Sequence, residues 1–410
     1  MQLGLASHAG SGAGTPPAIA ETATAWIVHA TLAVRRPPRM GLVPSRQSPW
    51  FRAAGALTLL AASTFTHASA SVRHPDFFTS HATQSGQNYH GRRPPWSVAG
   101  VDEAEGYREQ YAPLLDPASL NGQQGCVYTE DGPRLVCNNS AGVTIRGYDF
   151  SLHGGVFLQL ASSDGQCIVE DNNFQWATKN AYQSFYWVWF GSCASYAFSH
   201  NTLRGNPWTF PTSWGAMVIV YGGNAPGVFE HNDVEWTNGR FVAFGSSGAY
   251  TLRYNYIEGM VYNGGLHGEN EFAGAAQNID IEYNTVLIPA AGTPANTASF
   301  APFTHYYAGA IASLTIAHNA IVSNKAPNGR HSTGVANLTV NGPFAVGALT
   351  ISNNWIDPSG AYFCNLFYAG ATAQTINETG NVNLLDGSAV TGLHGLGQGE
   401  VCHGHYAERN

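Results

Sequence analysis

The chain has 410 residues, a length of about two or three average domains. Hydrophobic residues make up 44% of it, enough for a sizeable core, whereas charged residues make up only 11%. This composition excludes a coiled coil or long-helix protein, which would be rich in Glu and Lys. A net charge of −8 and only two lysines leave no basic stripe for phosphates, so nucleic acid is excluded as a partner. The 47 glycines and 12% aromatic residues instead predict many short strands and tight turns.

The first seventy residues have the pattern of a secretion signal. Arginines precede a short apolar run at 53–62, and the segment ends in Ala-Ser-Ala at Ala70. A basic flank, an apolar run too short to span a bilayer and an Ala-x-Ala end are typical of a signal peptide. We expect residues 1–70 to be a leader cleaved after Ala70, with Met40 as the true start. The protein is then secreted or periplasmic, without a membrane span.

Removing this leader takes away five arginines and one glutamate, which leaves 13 basic against 25 acidic side chains and a net charge of −12. All six cysteines lie beyond it. An even number of cysteines in an exported chain favours disulfides, and a metal site is disfavoured because no C-x-x-C occurs. The sequence allows many pairings, and we expect neighbours to pair: Cys126–Cys137, Cys167–Cys193 and Cys364–Cys402.

A short internal repeat decides the expected fold. Each copy has an apolar residue, two variable residues, an asparagine, one variable residue and a second apolar residue. Successive asparagines are 23 to 35 residues apart, so one loop in each repeat accepts insertions. The asparagines are Asn172, Asn201, Asn232, Asn255, Asn284, Asn319 and Asn354, and a degenerate eighth copy has Tyr148 in their place.

Each repeat contains alternating strand patterns and no helical stripe, so it fits one three-strand coil of a parallel β-helix. Coils stack about 4.8 Å apart. Stacking brings the asparagines into a column in which each amide can hydrogen-bond the next. We expect each asparagine to turn a tight corner in the left-handed conformation and to be structural. His200, His231 and His318, which precede asparagines, are expected to form a corner column and not to be ligands.

With this repeat, the sequence resembles the right-handed parallel β-helix superfamily of pectin-lyase-like proteins over roughly residues 120–375. The resemblance implies an all-β, right-handed parallel β-helix solenoid of about eight coils with an Asn ladder. It also implies a ligand groove along the outer face of the first strand of each coil. The superfamily includes polysaccharide lyases, glycoside hydrolases, pectin esterases, phage tailspikes and adhesins, so the fold does not settle the function. The catalytic sets of polygalacturonases and pectate lyases are not found in the sequence.

The expected segments after the leader are an N-terminal arm or cap at 71–120, the β-helix at 121–375 and a C-terminal cap at 376–410. Caps are expected because the ends of a solenoid expose unpaired strand edges. In the superfamily that the sequence resembles, the Asn corner follows the second strand of a coil, so the resemblance also implies where the first strands lie. These first strands are expected at Gly155–Leu160, Phe185–Phe190, Met217–Tyr221, Arg240–Phe244, Leu266–Phe272 and His305–Ile311.

The fifth expected first strand is unusually rich in titratable side chains. His267, Glu269 and Glu271 alternate along it and therefore share one face. Alternate residues lie about 6.6–7 Å apart, which matches the roughly 6.5–9.5 Å of inverting glycoside hydrolysis. Mutual repulsion raises one carboxyl pKa and so provides an acid and a base. We expect Glu269 and Glu271 to be catalytic with support from His267. A solvated strand face and a bound cation such as Ca²⁺ are the alternatives.

Aromatic and basic side chains lie on or beside the other first strands. Outward aromatic rings stack on sugar C–H surfaces, and arginine binds carboxylates. A Lys/Arg cluster in the loop after Ile321 suits a β-elimination lyase. Glu235 and Glu258, on third strands, are expected to face solvent. The predicted substrate-binding residues are Trp187, Trp189, Tyr221, Arg240, Tyr306, Lys325 and Arg330.

These patterns predict an exported β-helix enzyme that cleaves a polysaccharide. Hydrolysis is favoured, because the net charge of −12 disfavours a polyanionic substrate. A polysaccharide lyase is one alternative, and a non-catalytic adhesin or carbohydrate-binding surface protein is another. No cofactor is expected apart from Ca²⁺ as an alternative, and the sugar, the linkage and the oligomeric state are left open.

Overall fold

The computed structural model describes most of the chain beyond residue 70, with gaps. The predicted leader and the predicted Cys364–Cys402 disulfide lie outside the described residues. The described residues are 71–79, 89–161, 164–175, 186–205, 216–220, 225–236, 240–245, 247–259, 270–272, 277–288, 303–305, 310–323, 336–337, 345–357, 367–368 and 372–391.

Regular structure in the described residues is almost entirely β-strand, arranged in three sheets. Short 3₁₀ helices occur at Glu109–Tyr111, Pro117–Leu120 and Leu152–Gly154. The first sheet contains β1 (Cys126–Thr129), β2 (Arg134–Asn138), β4 (Phe157–Ala161), β7 (Tyr186–Phe190), β10 (Ala216–Val220), β13 (Arg240–Phe244), β16 (Asn270–Phe272), β19 (Phe303–His305), β22 (Ala336–Asn337) and β25 (Phe367–Tyr368).

The other two sheets are formed by the second and third strands of the coils. The second sheet contains β3 (Val143–Arg146), β5 (Gln166–Glu170), β8 (Ser195–Ser199), β11 (Gly227–Glu230), β14 (Tyr250–Arg253), β17 (Asn278–Glu282), β20 (Ala310–Ala317), β23 (Ala345–Ser352) and β26 (Thr372–Thr379). The third sheet contains β6 (Asn173–Gln175), β9 (Thr202–Arg204), β12 (Asp233–Glu235), β15 (Tyr256–Glu258), β18 (Thr285–Ile288), β21 (Ala320–Ser323), β24 (Trp355–Ile356) and β27 (Val382–Asn383).

Successive strands visit the three sheets in turn, and each pairs in parallel with its equivalent in the next coil. The fold is therefore the predicted parallel β-helix, with eight complete three-strand coils among the described residues. At its first edge, β1 pairs antiparallel with β2. Nowhere in the described part of the chain is there a helix long and apolar enough to cross a membrane.

Both apolar positions of the repeat point into the core. In one coil, Phe229 and Val234 flank Asn232 and are fully buried, and the equivalent residues of neighbouring coils stack above and below them. Phe198 and Phe229, one coil apart, have ring centroids 6.0 Å apart. Burial of each such side chain stabilises the fold by about 1.5–3 kcal/mol.

The predicted Asn ladder is confirmed. The Asn255 Oδ1 atom accepts hydrogen bonds from the backbone N and the Nδ2 of Asn232 at 3.1 and 2.8 Å. The Asn255 Nδ2 donates to the Phe229 carbonyl at 2.9 Å, so one amide satisfies groups of adjacent coils. The ladder begins at the Tyr148 amide and extends beyond the sequence repeat to Asn381, which accepts from Asn354.

The expectation that these asparagines adopt the left-handed conformation is wrong, because the residue before each of them turns the corner. His200, His231, Tyr254, Tyr283 and His318 have φ values between 52° and 56°. Their rings project outward and stack on one another, with neighbouring centroids 4.7 to 5.1 Å apart. The predicted corner column of histidines is therefore confirmed, and tyrosines complete it.

Strand mapping from the repeat succeeds for most first strands. The strands β4, β7, β10 and β13 lie within two residues of their expected positions, and β16 falls within the expected Leu266–Phe272, of which 266–269 lie outside the described residues. The prediction of His305–Ile311 is wrong, because β19 ends at His305 and Ile311 belongs to β20 of the second sheet. Ile311 is buried early in a strand that runs on to Ala317 and pairs with β23 along its length.

Two of the predicted disulfides are confirmed. Cys126 and Cys137 face each other across β1 and β2 with Cα atoms 3.8 Å apart. Cys167 of β5 is joined to Cys193, which precedes β8, with Cα atoms 6.0 Å apart. Two such bonds indicate an oxidising compartment.

The described residues before the β-helix, 71–79 and 89–116, form an extended segment that we call the arm. The arm lies along the third sheet and its corner, with Arg108 bound to Asp171 of an early coil and the Tyr89 hydroxyl bound to Asp357 of a late one. Its apolar side chains form a second hydrophobic cluster with this sheet, in which Phe78, Tyr89 and Val98 pack with Tyr256, Leu287, Ala320 and Val322.

Candidate functional site

The predicted site on the first sheet is only partly within the described residues. Arg240 and Glu271 lie on the described backbone of β13 and β16. Trp187 and Trp189 lie on β7. The predicted site residues outside the described part are Tyr221, His267, Glu269, Tyr306, Lys325 and Arg330.

Glu271 occupies a central position in the first sheet. It pairs with Ala243 of β13, and the same register row continues to Trp189 of β7. The neighbouring row pairs Phe272 with Phe244, a fully buried core side chain. Rows of adjacent residues alternate between the two faces of a sheet. Glu271 therefore lies in the register row next to the one that contains Phe244, which we call the core row.

The two tryptophans of β7 differ in exposure. Trp187 is only 5% exposed and belongs to the main hydrophobic cluster. Trp189 is partly exposed and shares its register row with Gln159 of β4, which is also partly exposed. The described surface near the Glu271 row thus includes an aromatic ring and an amide.

A second group of titratable side chains, which the sequence did not predict, lies between the arm and the third sheet. Its centre is Asp233 of β12, which is fully buried. One Asp233 oxygen lies 3.0 Å from Nε2 of His74, an arm residue, and the other lies 3.2 Å from an Arg204 nitrogen. The same Arg204 nitrogen lies 3.2 Å from a carboxylate oxygen of Glu235.

Glu258 of β15 belongs to the same group. It is only 6% exposed and accepts a hydrogen bond of 2.8 Å from the Tyr256 hydroxyl. The His74 ring stacks on the Tyr256 ring with centroids 3.7 Å apart. The expectation that Glu235 and Glu258 face solvent is therefore wrong, because the arm covers the third sheet here.

Burial shifts the titration of this group. It raises the pKa of Glu258, and it raises the pKa of Glu235 together with the negative charge of Asp233. Burial lowers the pKa of His74, but the hydrogen bond and the charge of Asp233 outweigh burial, so the net pKa is raised. His74, Glu235 and Glu258 therefore hold protons more tightly than free side chains would.

Two clusters of described residues have the composition of a cation site. The first is His74, Asp233 and Glu235, and the second consists of two arm carboxylates and a corner histidine. In the first cluster, Arg204 lies within 3.2 Å of both carboxylates and already supplies the positive charge. A cation there would have to displace a guanidinium group, which disfavours that cluster.

The sequence could have located the residues of this group but not the segment that covers them. The repeat places Asp233 and Glu235 on a third strand, but nothing in it shows that an N-terminal segment returns to cover that strand. Comparisons of the chain with protein-family models, curated proteins and solved structures found no match. The proposals below therefore rest on the residues and geometry of this chain.

Proposed function

We propose that the protein is an exported, pectin-lyase-like β-helix enzyme that hydrolyses a polysaccharide on the outer face of its first sheet. The position of Glu271 carries the proposal, since it lies in mid-sheet in the row that alternates with the core row. Trp189 in that row supplies an aromatic ring that can stack on a sugar.

The shape of the first sheet supports an extended substrate. It contains ten strands, and a spacing of about 4.8 Å makes it roughly 40 Å long. Such a face suits a polymer better than a small molecule. The arm contacts described above are made with the third sheet and its corner, on a different side of the coil.

In the proposed reaction, Glu269 and Glu271 divide the acid and base roles. One carboxyl group protonates the leaving glycosidic oxygen, and the other carboxylate removes a proton from the attacking water. A lower pKa on one group and a higher pKa on the other follow from mutual repulsion. His267 holds the acid in position.

The test uses the full chain and a panel of neutral and acidic polysaccharides. New reducing ends and the ultraviolet absorbance of unsaturated uronic products are read from the same samples. The variants are Glu269→Gln and Glu271→Gln, with Glu282→Gln as the matched control, because Glu282 carries the same charge on the second sheet of the same coil.

Hydrolysis at the first sheet requires reducing ends without absorbance. That activity should fall at least a hundredfold in each site variant, since general acid and base catalysis each contribute about 10²–10⁴, and it should persist in the control. Absorbance that persists in both site variants would instead assign a lyase that uses Lys325 and Arg330. Retention of a polysaccharide without cleavage, by folded protein, would contradict the enzyme proposal in favour of an adhesin.

A further inference from the structure

We infer that Glu103, Glu105 and His231 form a binding site for one divalent transition-metal cation such as Zn²⁺. Glu103 and Glu105 belong to the arm, whereas His231 lies at the corner before β12. Imidazole nitrogen together with carboxylate oxygen is a ligand set of Zn²⁺ and its neighbours, and hard cations such as Ca²⁺ prefer oxygen alone. The inference does not depend on the proposed function, because the site lies outside the first sheet.

The ligand atoms are already close together. One ligand atom from each of Glu103, Glu105 and His231 lies within 4.8 Å of the other two. Zinc bonds of about 2.1 Å bring tetrahedral ligands to roughly 3.4 Å from one another. Glu103 is exposed, so its side chain has the freedom to close that distance.

His231 is held ready by its neighbours in the corner column. Its ring lies between those of His200 and Tyr254, with centroids 4.8 and 5.1 Å away and nearly parallel planes. Its Nδ1 atom faces the Glu105 carboxylate at 3.2 Å. A ligand that is already oriented loses little conformational entropy when a metal binds.

The Glu105 backbone is fixed with equal firmness. It exchanges two hydrogen bonds with Val72, of 2.9 and 3.1 Å, and the following Gly106 amide donates to the His231 carbonyl at 3.1 Å. The two bonds to Val72 hold Glu105 within the arm, and the Gly106–His231 bond joins the arm to the coil next to the ligands.

One carboxylate oxygen of Glu105 is buried without a hydrogen-bond partner among the described residues. The side chain is fully buried, and its Oε1 atom has no hydrogen-bond partner among the described residues. A buried polar atom without a partner costs about 1–3 kcal/mol. A cation shared with Glu103 and His231 would satisfy this oxygen.

The local charge favours a cation as well. The carboxylates of Glu103 and Asp233 add negative charge around Glu105. Glu230 also faces His231 and contributes to raising its pKa.

Such a cation would tie the arm to the β-helix. It would bind the arm through Glu103 and Glu105 and the corner between β11 and β12 through His231, so occupancy would favour the docked arm. We therefore assign the site a structural role as a clip, separate from substrate turnover.

The test uses the full chain after treatment with a chelator and desalting. Zn²⁺ and Ca²⁺ are titrated separately by calorimetry. The variant Glu103→Gln alters an exposed ligand and should leave folding intact, and Glu109→Gln changes an exposed glutamate of the same arm as the matched control. Limited proteolysis of the arm is followed with and without Zn²⁺.

We expect one Zn²⁺ per chain, slower cleavage of the arm and weaker binding of Ca²⁺. Affinity for Zn²⁺ should fall at least tenfold in Glu103→Gln and remain unchanged in Glu109→Gln. Absence of Zn²⁺ binding would overturn the inference. So would unchanged affinity in Glu103→Gln, or binding that disappears in a His403→Ala/His405→Ala variant, because the C-terminal histidines would then be the ligands.

Discussion

Replacement of Glu105 by Gln should flatten the pH dependence of arm attachment. Glu105 is fully buried between the arm and the corner of the coil, and burial raises its pKa from 4.5 to about 7. The folded protein therefore binds this proton more tightly than the unfolded chain does. The corresponding stability is fully present below pH 4.5 and is lost as the pH rises through about 7.

The size of the effect follows from that pKa. Each pH unit of difference between the folded and unfolded pKa corresponds to about 1.36 kcal/mol, so the complete effect is about 3 kcal/mol, of which about 2 to 3 kcal/mol falls between pH 5 and pH 8. The raised pKa values of His74, His231, Glu235 and Glu258 act in the same direction. The shifts of His74, Glu235 and Glu258 are common to the wild type and the variant, so they cancel in the comparison. Burial lowers the pKa of His231, and its hydrogen bond to Glu105 and the charge of Glu105 outweigh burial, so the variant loses this shift as well and the difference grows in the same direction.

Hydrogen exchange measures this quantity locally. The amides of Gly106, Tyr107 and Arg108 donate to His231, Thr202 and Asp171 of the coils, so they are hydrogen-bonded to these partners only while the arm is docked, and their protection gives the free energy of opening. With a chelator present, the wild type should lose about 2 to 3 kcal/mol more than Glu105→Gln between pH 5 and pH 8. Glu109→Gln should behave like the wild type. Equal pH dependence in wild type and Glu105→Gln would refute the reasoning.

Three further predictions concern the scaffold. Asn255→Ala leaves several buried groups of the ladder without partners, and each such group costs about 1–3 kcal/mol, so the free energy of unfolding in urea should fall by about 3 kcal/mol. The control Thr251→Ala, in the same coil, should lower it by less than about 1 kcal/mol. Arg108→Ala removes the partner of a buried aspartate and should lower the free energy of opening of the early coils, measured by hydrogen exchange, by about 1–3 kcal/mol. Replacing Cys167 and Cys193 by Ser should cost about 3 kcal/mol in thermal unfolding.

The Asn ladder could be predicted because it is encoded locally. Each copy of the repeat contains its own apolar pair and its own asparagine, and a fixed internal phase needs no knowledge of distant residues. The left-handed corner was placed one residue too late, at Asn255 where Tyr254 carries the positive φ. Asparagine is the usual candidate for that conformation, but here its amide and backbone are both committed to the ladder.

The candidate site could be predicted only in part. Strand periodicity is local, and the backbone register pairs Glu271 with Ala243, next to the pair of Phe272 and Phe244, whereas the catalytic role of Glu271 stays a prediction. The cluster around Asp233 depends on His74, which is 159 residues away in sequence. Contacts of this kind arise from the path of the arm, which carries no repeat and no strand pattern.

Adjacent apolar residues on the late third strands show that the arm is part of the fold. Ile321 faces the core of the coil, so Val322, next to it on β21, must face outward, and the same holds for Leu287 beside Val286. Both outward residues are nevertheless buried, in the cluster that contains arm residues. Early third strands carry charged residues at the equivalent position, where the arm presents His74. Along its length, the third sheet therefore presents apolar residues where the arm is apolar and charged residues where the arm has a charged partner. A β-helix without its arm would expose both an apolar patch and a buried carboxylate, so the two must fold as one unit.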